Sequence, residues 1–124
     1  MISKDNLIHK KSQDFAVRIV KMVAYYDDIL SYTYRPMFQQ ILKSWTSIGA
    51  NIRESQYAES TEDFVHKLKI ALKEANETDF WLDVFHNADI LSDELYESVS
   101  IDCQELIKLL IAIINKTNNN QQQK

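Results

Sequence analysis

The side chains of this sequence that could do chemistry are glutamates on two stretches of chain. Glu74 and Glu77 lie three residues apart next to Trp81, and Glu54 ends a polar stripe that contains Asn51. Residues three or four apart share one side of a helix, so these carboxylates could face each other between two helices. Facing carboxylates can exchange protons or bind a metal ion.

The same polar residues also suit a structural role, as a hydrogen-bonded network that fixes helix register, in which Asn51, Glu54 and Glu74 or Glu77 satisfy one another or backbone groups. A di-iron bundle needs Glu-x-x-His on two helices and two further glutamates. This sequence offers only Asp63 followed by His66. We therefore predict the structural network, with no metal, cofactor or catalytic residue. A carboxylate-based metal-binding or enzymatic site at Glu54, Glu74 and Glu77 is the alternative.

Seven basic residues in the first half of the chain could contact RNA phosphates. They are Lys4, Lys10, Lys11, Arg18, Lys21, Lys43 and Arg53. Residues 1–58 carry eight Lys and Arg against five Asp and Glu, whereas residues 59–124 carry six against thirteen. The net charge of −4 opposes nucleic-acid binding, which depends on basic surfaces. A solvated basic face is the first interpretation, and weak phosphate contacts repeated around an oligomer are the alternative.

Four helices must position these side chains, because apolar residues recur every three or four positions along the chain. The predicted helices run over about 12–31, 36–58, 60–86 and 92–116. Their predicted starts are Ser12, Pro36, Ser60 and Ser92. The short connections predict an all-α, up-down-up-down antiparallel four-helix bundle over residues 1–117. Residues 118–124 are polar and of low complexity, which predicts a disordered tail.

The single glycine of the chain, Gly49, falls inside the second predicted helix, where it costs about 1 kcal/mol relative to alanine. Its missing side chain predicts close packing of a bulky residue such as Trp81. A contact between subunits is the alternative, and a ligand at the backbone is a third interpretation. Trp45 and Trp81 have apolar neighbours at helical spacing and are predicted to pack in the core.

Residues 106–114, LIKLLIAII, are apolar around most of a helix circumference. One bundle buries one stripe of each helix, so a helix that is apolar nearly all round needs cover on more than one side. We expect that cover to be a second subunit. The predicted oligomer interface consists of Ile107, Leu109, Ile111 and Ile114.

Cys103 is the only cysteine, so no intramolecular disulfide can form and a reducing compartment fits the chain. No apolar run reaches the roughly 20 residues that span a bilayer. The N-terminal residues lack the apolar segment of a secretory signal. We expect a cytoplasmic protein that does not contact a membrane.

Two stretches of the sequence resemble a known family. "SIGANIRES" at 47–55 and "DFVHKLKIALKEANETDFWLDV" at 63–84 are similar to the four-helix bundle proteins also called 23S rRNA intervening-sequence proteins. The resemblance implies a four-helix bundle assembled as a ring, with a pentamer the usual expectation. It also implies a gene within or near insertions in ribosomal RNA genes. A related accessory protein of diversity-generating retroelements is basic and binds nucleic acid, whereas this chain is acidic.

These features together predict a non-enzymatic oligomeric scaffold or binding module. Its expected partners are further copies of the chain, with five subunits in all. RNA or an RNA-associated protein is a further partner that the resemblance suggests.

Overall fold

The computed structural model describes residues 2–29 and 32–122, with side chains from residue 7 onward. Four α-helices hold most of these residues: α1 (Ile2–Ile29), α2 (Arg35–Ser55), α3 (Thr61–Asn87) and α4 (Asp93–Gln122). A 3-10 turn, Tyr32–Tyr34, precedes α2. The described residues contain no strand, which confirms the predicted all-α class. None of the helices in this part of the chain is long and apolar enough to cross a membrane.

Each helix packs against the next one along the chain, and α4 closes the arrangement against α1. Side-chain contacts give the directions. Arg18 of α1 pairs with Asp102 of α4, whereas Lys11, earlier in α1, pairs with Glu105, later in α4. The two helices are therefore antiparallel, as an up-down-up-down bundle requires.

The core lies along one apolar stripe of each helix. Ile19 of α1, Ile48 of α2, Leu82 of α3 and Leu110 of α4 are almost fully buried. These residues belong to the three-and-four spacing that predicts the helices. Burial of these stripes against one another supplies the main driving force for this fold.

Aromatic rings cross the core at the end of the bundle where α1 meets α2. Tyr26 stacks on Phe38 with ring centroids 5.7 Å apart, and Phe38 stacks on Phe85 at 4.5 Å. Phe85 in turn lies 5.9 Å from Trp81. Such pairs are each worth about 0.5–1.5 kcal/mol beyond their buried area. They tie α1, α2 and α3 together at this end.

The starts of α3 and α4 confirm the predicted capping residues. Ser60 Oγ accepts a hydrogen bond from the Asp63 backbone N–H at 3.0 Å, and the Asp63 carboxylate accepts one from the Glu59 N–H at 3.1 Å. This pair of bonds resembles a capping box, except that the Asp63 carboxylate accepts from the N–H of the residue before the cap. Ser92 Oγ accepts from the Leu95 N–H at 3.2 Å. Helix α3 and helix α4 therefore begin where the sequence predicts.

The predicted helix start at Ser12 is wrong. Helix α1 begins at Ile2, and Ser12 lies buried in its middle, where its hydroxyl donates to the His9 carbonyl oxygen at 3.0 Å. A serine inside a helix can satisfy its hydroxyl in this way and then does not act as a cap. Ile8, one turn earlier, is buried in the core, so the apolar stripe extends beyond the predicted start.

The predicted ends of α2 and α4 also differ from the structure. Helix α2 ends at Ser55, before the predicted residue 58. Helix α4 continues to Gln122, so the predicted disorder does not hold for residues 118–122, and residues 123–124 lie outside the described residues. Extending an existing helix is much easier than nucleating one. Thr117, whose hydroxyl donates to the Ile113 carbonyl oxygen at 2.8 Å, and Asn118 are half-buried at the start of this extension.

Candidate functional site

The polar side chains predicted to form one network lie along the outer edge of the α2–α3 contact. Asn51 Nδ2 donates to the Ser47 carbonyl oxygen of its own helix at 2.8 Å. Glu54 crosses to α3, where its Oε1 lies 3.6 Å from Lys67 Nζ. Near the turn, therefore, α2 and α3 are joined by the ion pair of Glu54 with Lys67.

Glu74 and Glu77 form a second and separate unit. Glu74 is half-buried, and Glu77 lies one turn later on the same helix. Burial, followed by the charge of Glu77, raises the pKa of Glu74, whereas Lys73 and Lys43 act to lower it. Lys43 comes from α2, so this unit also carries a charge contact between the two helices.

The predicted polar residues do not form one continuous network: Asn51 satisfies a backbone group, as the prediction allows, and Glu54 and Glu74 lie in separate contacts. Glu74 lies seven residues beyond Lys67, about 10 Å further along the axis of α3, which separates it from Glu54. The Asn51 side chain hydrogen-bonds the backbone of its own helix and so does not connect α2 to α3. Spacing along each helix identified residues on the correct faces, but their heights along the two antiparallel axes depend on packing.

The alternative prediction of a carboxylate metal or catalytic centre at Glu54, Glu74 and Glu77 is not supported by their geometry. The ion pair of Glu54 with Lys67 and the neighbouring carboxyls of Glu74 and Glu77 are different sites. Across the described ranges, no group of three or more His, Cys, Asp and Glu side chains could hold a metal ion.

A polar cluster that the sequence reasoning missed lies on the α3–α4 side. His86 Nε2 is 2.7 Å from Asp93 Oδ1, and the His86 ring stacks on Tyr96 with centroids 4.0 Å apart. The Tyr96 hydroxyl donates to Asp83, and this hydrogen bond raises the pKa of Tyr96. Burial raises the pKa of Asp79, against a hydrogen bond from Gln104. The signal was available, since Asp79, Asp83 and His86 recur at spacings of four and three.

The basic residues of α1 make ion pairs inside the chain. Lys10 Nζ lies 3.2 Å from Asp14 Oδ2. Lys11 pairs with Glu105, and Arg18 pairs with Asp102. These three cations, which are predicted as phosphate contacts, are therefore already paired with carboxylates. The side chain of Lys4 lies outside the described residues.

The remaining predicted cations are spread over two helices. Lys21 of α1 and Lys43 and Arg53 of α2 are exposed. Lys43 is close enough to Glu74 to act on its pKa. Lys21 and Arg53 make no ion pair with any residue that the structure describes. Two such cations on different helices are too few for the basic face that the sequence predicts.

An open apolar area lies on the outer side of α1 and α2. A groove of about 450 Å³ runs between the helices, with Val20 and Ala24 on one side and Leu42 on the other. Val17, one turn before Val20, is exposed as well. Gly49 follows Leu42 by seven residues, or two helical turns, and so lies on the same side of α2. We call Val17, Val20, Ala24, Leu42 and Gly49 the α1–α2 surface.

The prediction that Gly49 packs closely against a bulky residue of the same chain is wrong. A Cβ atom added at Gly49 would meet nothing within 4 Å. Trp81 stacks instead against Phe80 and Phe85, on the α3 side of the bundle. The open space around Gly49 leaves the other two interpretations, a contact between subunits or with a ligand.

The two tryptophans are half-buried against the core. The indole N–H groups of Trp45 and Trp81 are buried and have no hydrogen-bond partner within the described part of the chain. Their rings contribute packing area.

Part of the apolar circumference of α4 is buried within its own subunit. Ile107 and Ile114, two predicted interface residues, are buried in the core, and Leu109 is half-buried. Ile111 remains 42% exposed. The prediction that all four face another subunit is therefore wrong for Ile107 and Ile114. They are covered because α4 packs between α1 and α3.

Comparison with known proteins gives a family and a solved relative. The family model described as 23S rRNA-intervening sequence protein matches residues 4–112. One solved relative is a protein with unknown function from the S23 ribosomal protein family of Bacteroides thetaiotaomicron VPI-5482. Its sequence is 47% identical to that of this chain. The match covers 90% of this chain and 98% of that one, with a TM-score of 0.82. No curated protein matches the chain significantly.

Proposed function

This chain belongs to the 23S rRNA-intervening sequence protein family, and on that premise we propose that it is a non-enzymatic scaffold built from several copies of one four-helix subunit. Each subunit is a four-helix bundle, and self-association presents the same outer surfaces repeatedly to a partner. Repetition lets weak individual contacts combine into strong binding. We take five subunits in a ring as the working number, as the resemblance implies.

The observation that carries this proposal is the α1–α2 surface. Val20 is 46% exposed and Val17 is 49% exposed, and both flank a groove that continues to Leu42. Exposed apolar patches of this kind are typical of protein–protein contacts. Glycine at position 49 costs its helix about 1 kcal/mol relative to alanine. No group of the same chain occupies the space that its missing side chain leaves. Close approach of a second subunit would account for both features.

A non-enzymatic role is supported by the arrangement of the reactive side chains. The carboxylates of α2 and α3 are engaged in separate contacts. Cys103, the single thiol, is buried and donates to the Ala75 carbonyl oxygen at 3.5 Å. Burial also raises its pKa to about 12. A free buried thiol agrees with our placement of the scaffold in the cytoplasm.

For the partner of the scaffold, we propose an RNA-associated protein in preference to RNA itself. Arg18 and Lys11, which could have contacted phosphates, are paired with carboxylates of α4. Nucleic-acid affinity depends mainly on cations that are free to displace counterions.

The molar mass of surface variants tests the scaffold proposal. Val20→Glu places a charge in the α1–α2 surface, so we expect the assembly to dissociate to subunits of 14.5 kDa with unchanged helical circular dichroism. Tyr57→Glu is the matched control, because Tyr57 is exposed in the turn after α2. Light scattering at micromolar concentration measures both. Equal masses for the two variants would contradict the role of the surface.

A further inference from the structure

We infer that one end of the bundle docks an arginine-rich segment of the RNA-associated partner, an inference that rests on the proposed scaffold and names the chemistry of its partner. This end consists of residues 22–42 and 79–98, where the chain passes from α1 to α2 and from α3 to α4. We call it the turn end. It combines exposed tyrosines with an excess of carboxylates.

Contacts between the helices place the two turns at the same end of the bundle. Phe38, at the start of α2, stacks on Phe85, near the end of α3, with centroids 4.5 Å apart. Its other neighbour is Tyr26, near the end of α1, at 5.7 Å. Arg18 of α1 is paired with Asp102 of α4, so the later residues of α1 run beside the first turns of α4. All four helices therefore contribute one end to the turn end.

The turn from α1 to α2 exposes a concentration of large apolar side chains. Tyr25 is 61% exposed, Tyr32 is 83% exposed and Tyr34 is 39% exposed, and Ile29 among them is 57% exposed. Single exposed apolar residues are common on protein surfaces, whereas a concentration of them within ten residues is typical of a contact site. Tyrosine is also one of the residue types that are enriched at protein interfaces.

The charge of the turn end favours a cationic partner. Residues 22–42 and 79–98 contain eight Asp and Glu and one Arg, a formal charge of −7, whereas the rest of the chain carries +3. Asp28, Asp89 and Glu94 are exposed and form no ion pair with any residue that the structure describes. A surface of one sign attracts partners of the opposite sign and repels RNA, which is itself an anion.

Arg35 shows how the turn end binds a guanidinium group. Its guanidinium carbon lies 5.6 Å from the centroid of the Tyr32 ring, and its Nε lies 3.3 Å from Asp27 Oδ1. Arginine suits such a site better than lysine, because its planar group stacks on aromatic rings and pairs with carboxylates through two hydrogen bonds. Arg35 is the only Lys or Arg in the turn end, so further carboxylates and rings remain for the arginines of a partner.

Binding of a labelled oligo-arginine peptide tests the role of the carboxylates. Asp28→Asn with Asp89→Asn removes two exposed charges while keeping the side-chain shape, and asparagine tolerates the φ of 62° at position 89. We expect the Kd, measured by fluorescence anisotropy at near-physiological salt, to rise roughly two- to thirtyfold. Glu59→Gln with Glu62→Gln is the matched control, because it removes two exposed carboxylates from the opposite end of the bundle. Its Kd should equal that of the wild type.

An oligo-lysine peptide of equal length tests the choice of arginine. It should bind the wild type more weakly than the arginine peptide does. Tyr25→Ala with Tyr32→Ala should weaken the arginine peptide more than the lysine peptide, and Tyr57→Ala, at an exposed tyrosine of the opposite end, should change neither. Circular dichroism checks that every variant keeps its helices.

Three results would each overturn the inference: no binding by the wild type, equal affinity for the two peptides, or equal weakening by the two carboxylate variants. Light scattering of the same samples reports self-association separately. An oligomer that does not bind the arginine peptide would leave the scaffold standing without this docking site. A monomer that binds it would contradict the scaffold and keep the site.

Discussion

Arg18 of α1 binds two neighbours on α4 at once: it pairs with the Asp102 carboxylate and donates from Nη1 to the Ser98 carbonyl oxygen at 3.2 Å. The same side chain is, by sequence, a candidate phosphate ligand. Lys11 makes a similar pair with Glu105. Arg18 and Lys11, which could have bound RNA phosphates, therefore connect α1 to α4 instead.

Weak RNA binding follows from this pairing. We expect the chain alone to bind single-stranded RNA with a Kd weaker than about 1 µM at near-physiological salt, and less tightly as salt rises. Any binding should depend more on Lys21 and Arg53 than on Lys11 and Arg18. Fluorescence anisotropy of the variants Lys21→Ala with Arg53→Ala and Lys11→Ala with Arg18→Ala measures the difference. Tight binding that is insensitive to salt would contradict the expectation.

Much of the fold could be predicted from the sequence, because periodicity and caps are local properties. The stripe through Ile48 and the capping serines Ser60 and Ser92 are set by residues within one or two turns. Ser12 misled the prediction because a serine can cap a helix or bond back to its own turn, and only the position of Ile8 in the core distinguishes the two. The sequence pattern alone does not contain that tertiary information.

The candidate site was less predictable for a similar reason. Spacing within α2 and α3 found the polar faces, but it could not show that Glu54 lies opposite Lys67, far from Glu74. Composition identified an acidic half and a basic half, but not which cations are paired across the bundle. The sequence shows that Gly49 is unusual, because a glycine inside a helix lowers its stability. Only the structure shows that no group of the same chain packs into the space beside Gly49.

Substitution of Gly49 separates folding from assembly. Because no atom lies within 4 Å of the added Cβ, Gly49→Ala should stabilise the subunit by up to about 1 kcal/mol through helix propensity. Gly49→Leu should fold equally well but weaken self-association, since its side chain fills the α1–α2 surface. Thermal melts and light scattering measure the two effects, with Gln40→Leu on the same helix as control. A Gly49→Leu subunit that unfolds would show that packing within the chain needs the glycine.

Asp79 should make stability depend on pH. Burial raises the pKa of its carboxyl, so the folded state binds the proton more tightly than the unfolded state. Stability is then lost as pH rises through the folded-state pKa. Asp79→Asn should be more stable than the wild type at pH 7, and the difference should vanish below about pH 3, where both states are protonated.

Urea unfolding at several pH values measures the effect of Asp79→Asn. Asp28→Asn, the same change at an exposed position of α1, is the matched control. A constant difference between Asp79→Asn and the wild type at all pH values would show that proton binding is not its cause.

The Cys103 thiol should be nearly inert in the folded protein. Burial, followed by the charges of Asp79 and Asp83, raises its pKa to about 12. At pH 8 this lowers the thiolate fraction on the order of a thousandfold relative to an exposed cysteine. Reaction with a chromogenic disulfide should therefore be slow until urea unfolds the chain. Fast labelling without urea would contradict the burial of Cys103.

Sedimentation equilibrium of the unmodified protein at micromolar concentration tests the central claim, self-association, most directly. The exposed α1–α2 surface predicts a defined oligomer, and we expect a mass about five times the subunit mass of 14.5 kDa. A stable oligomer with another whole number of subunits would support the scaffold and revise its subunit number. A single species of 14.5 kDa across the concentration range would contradict the account.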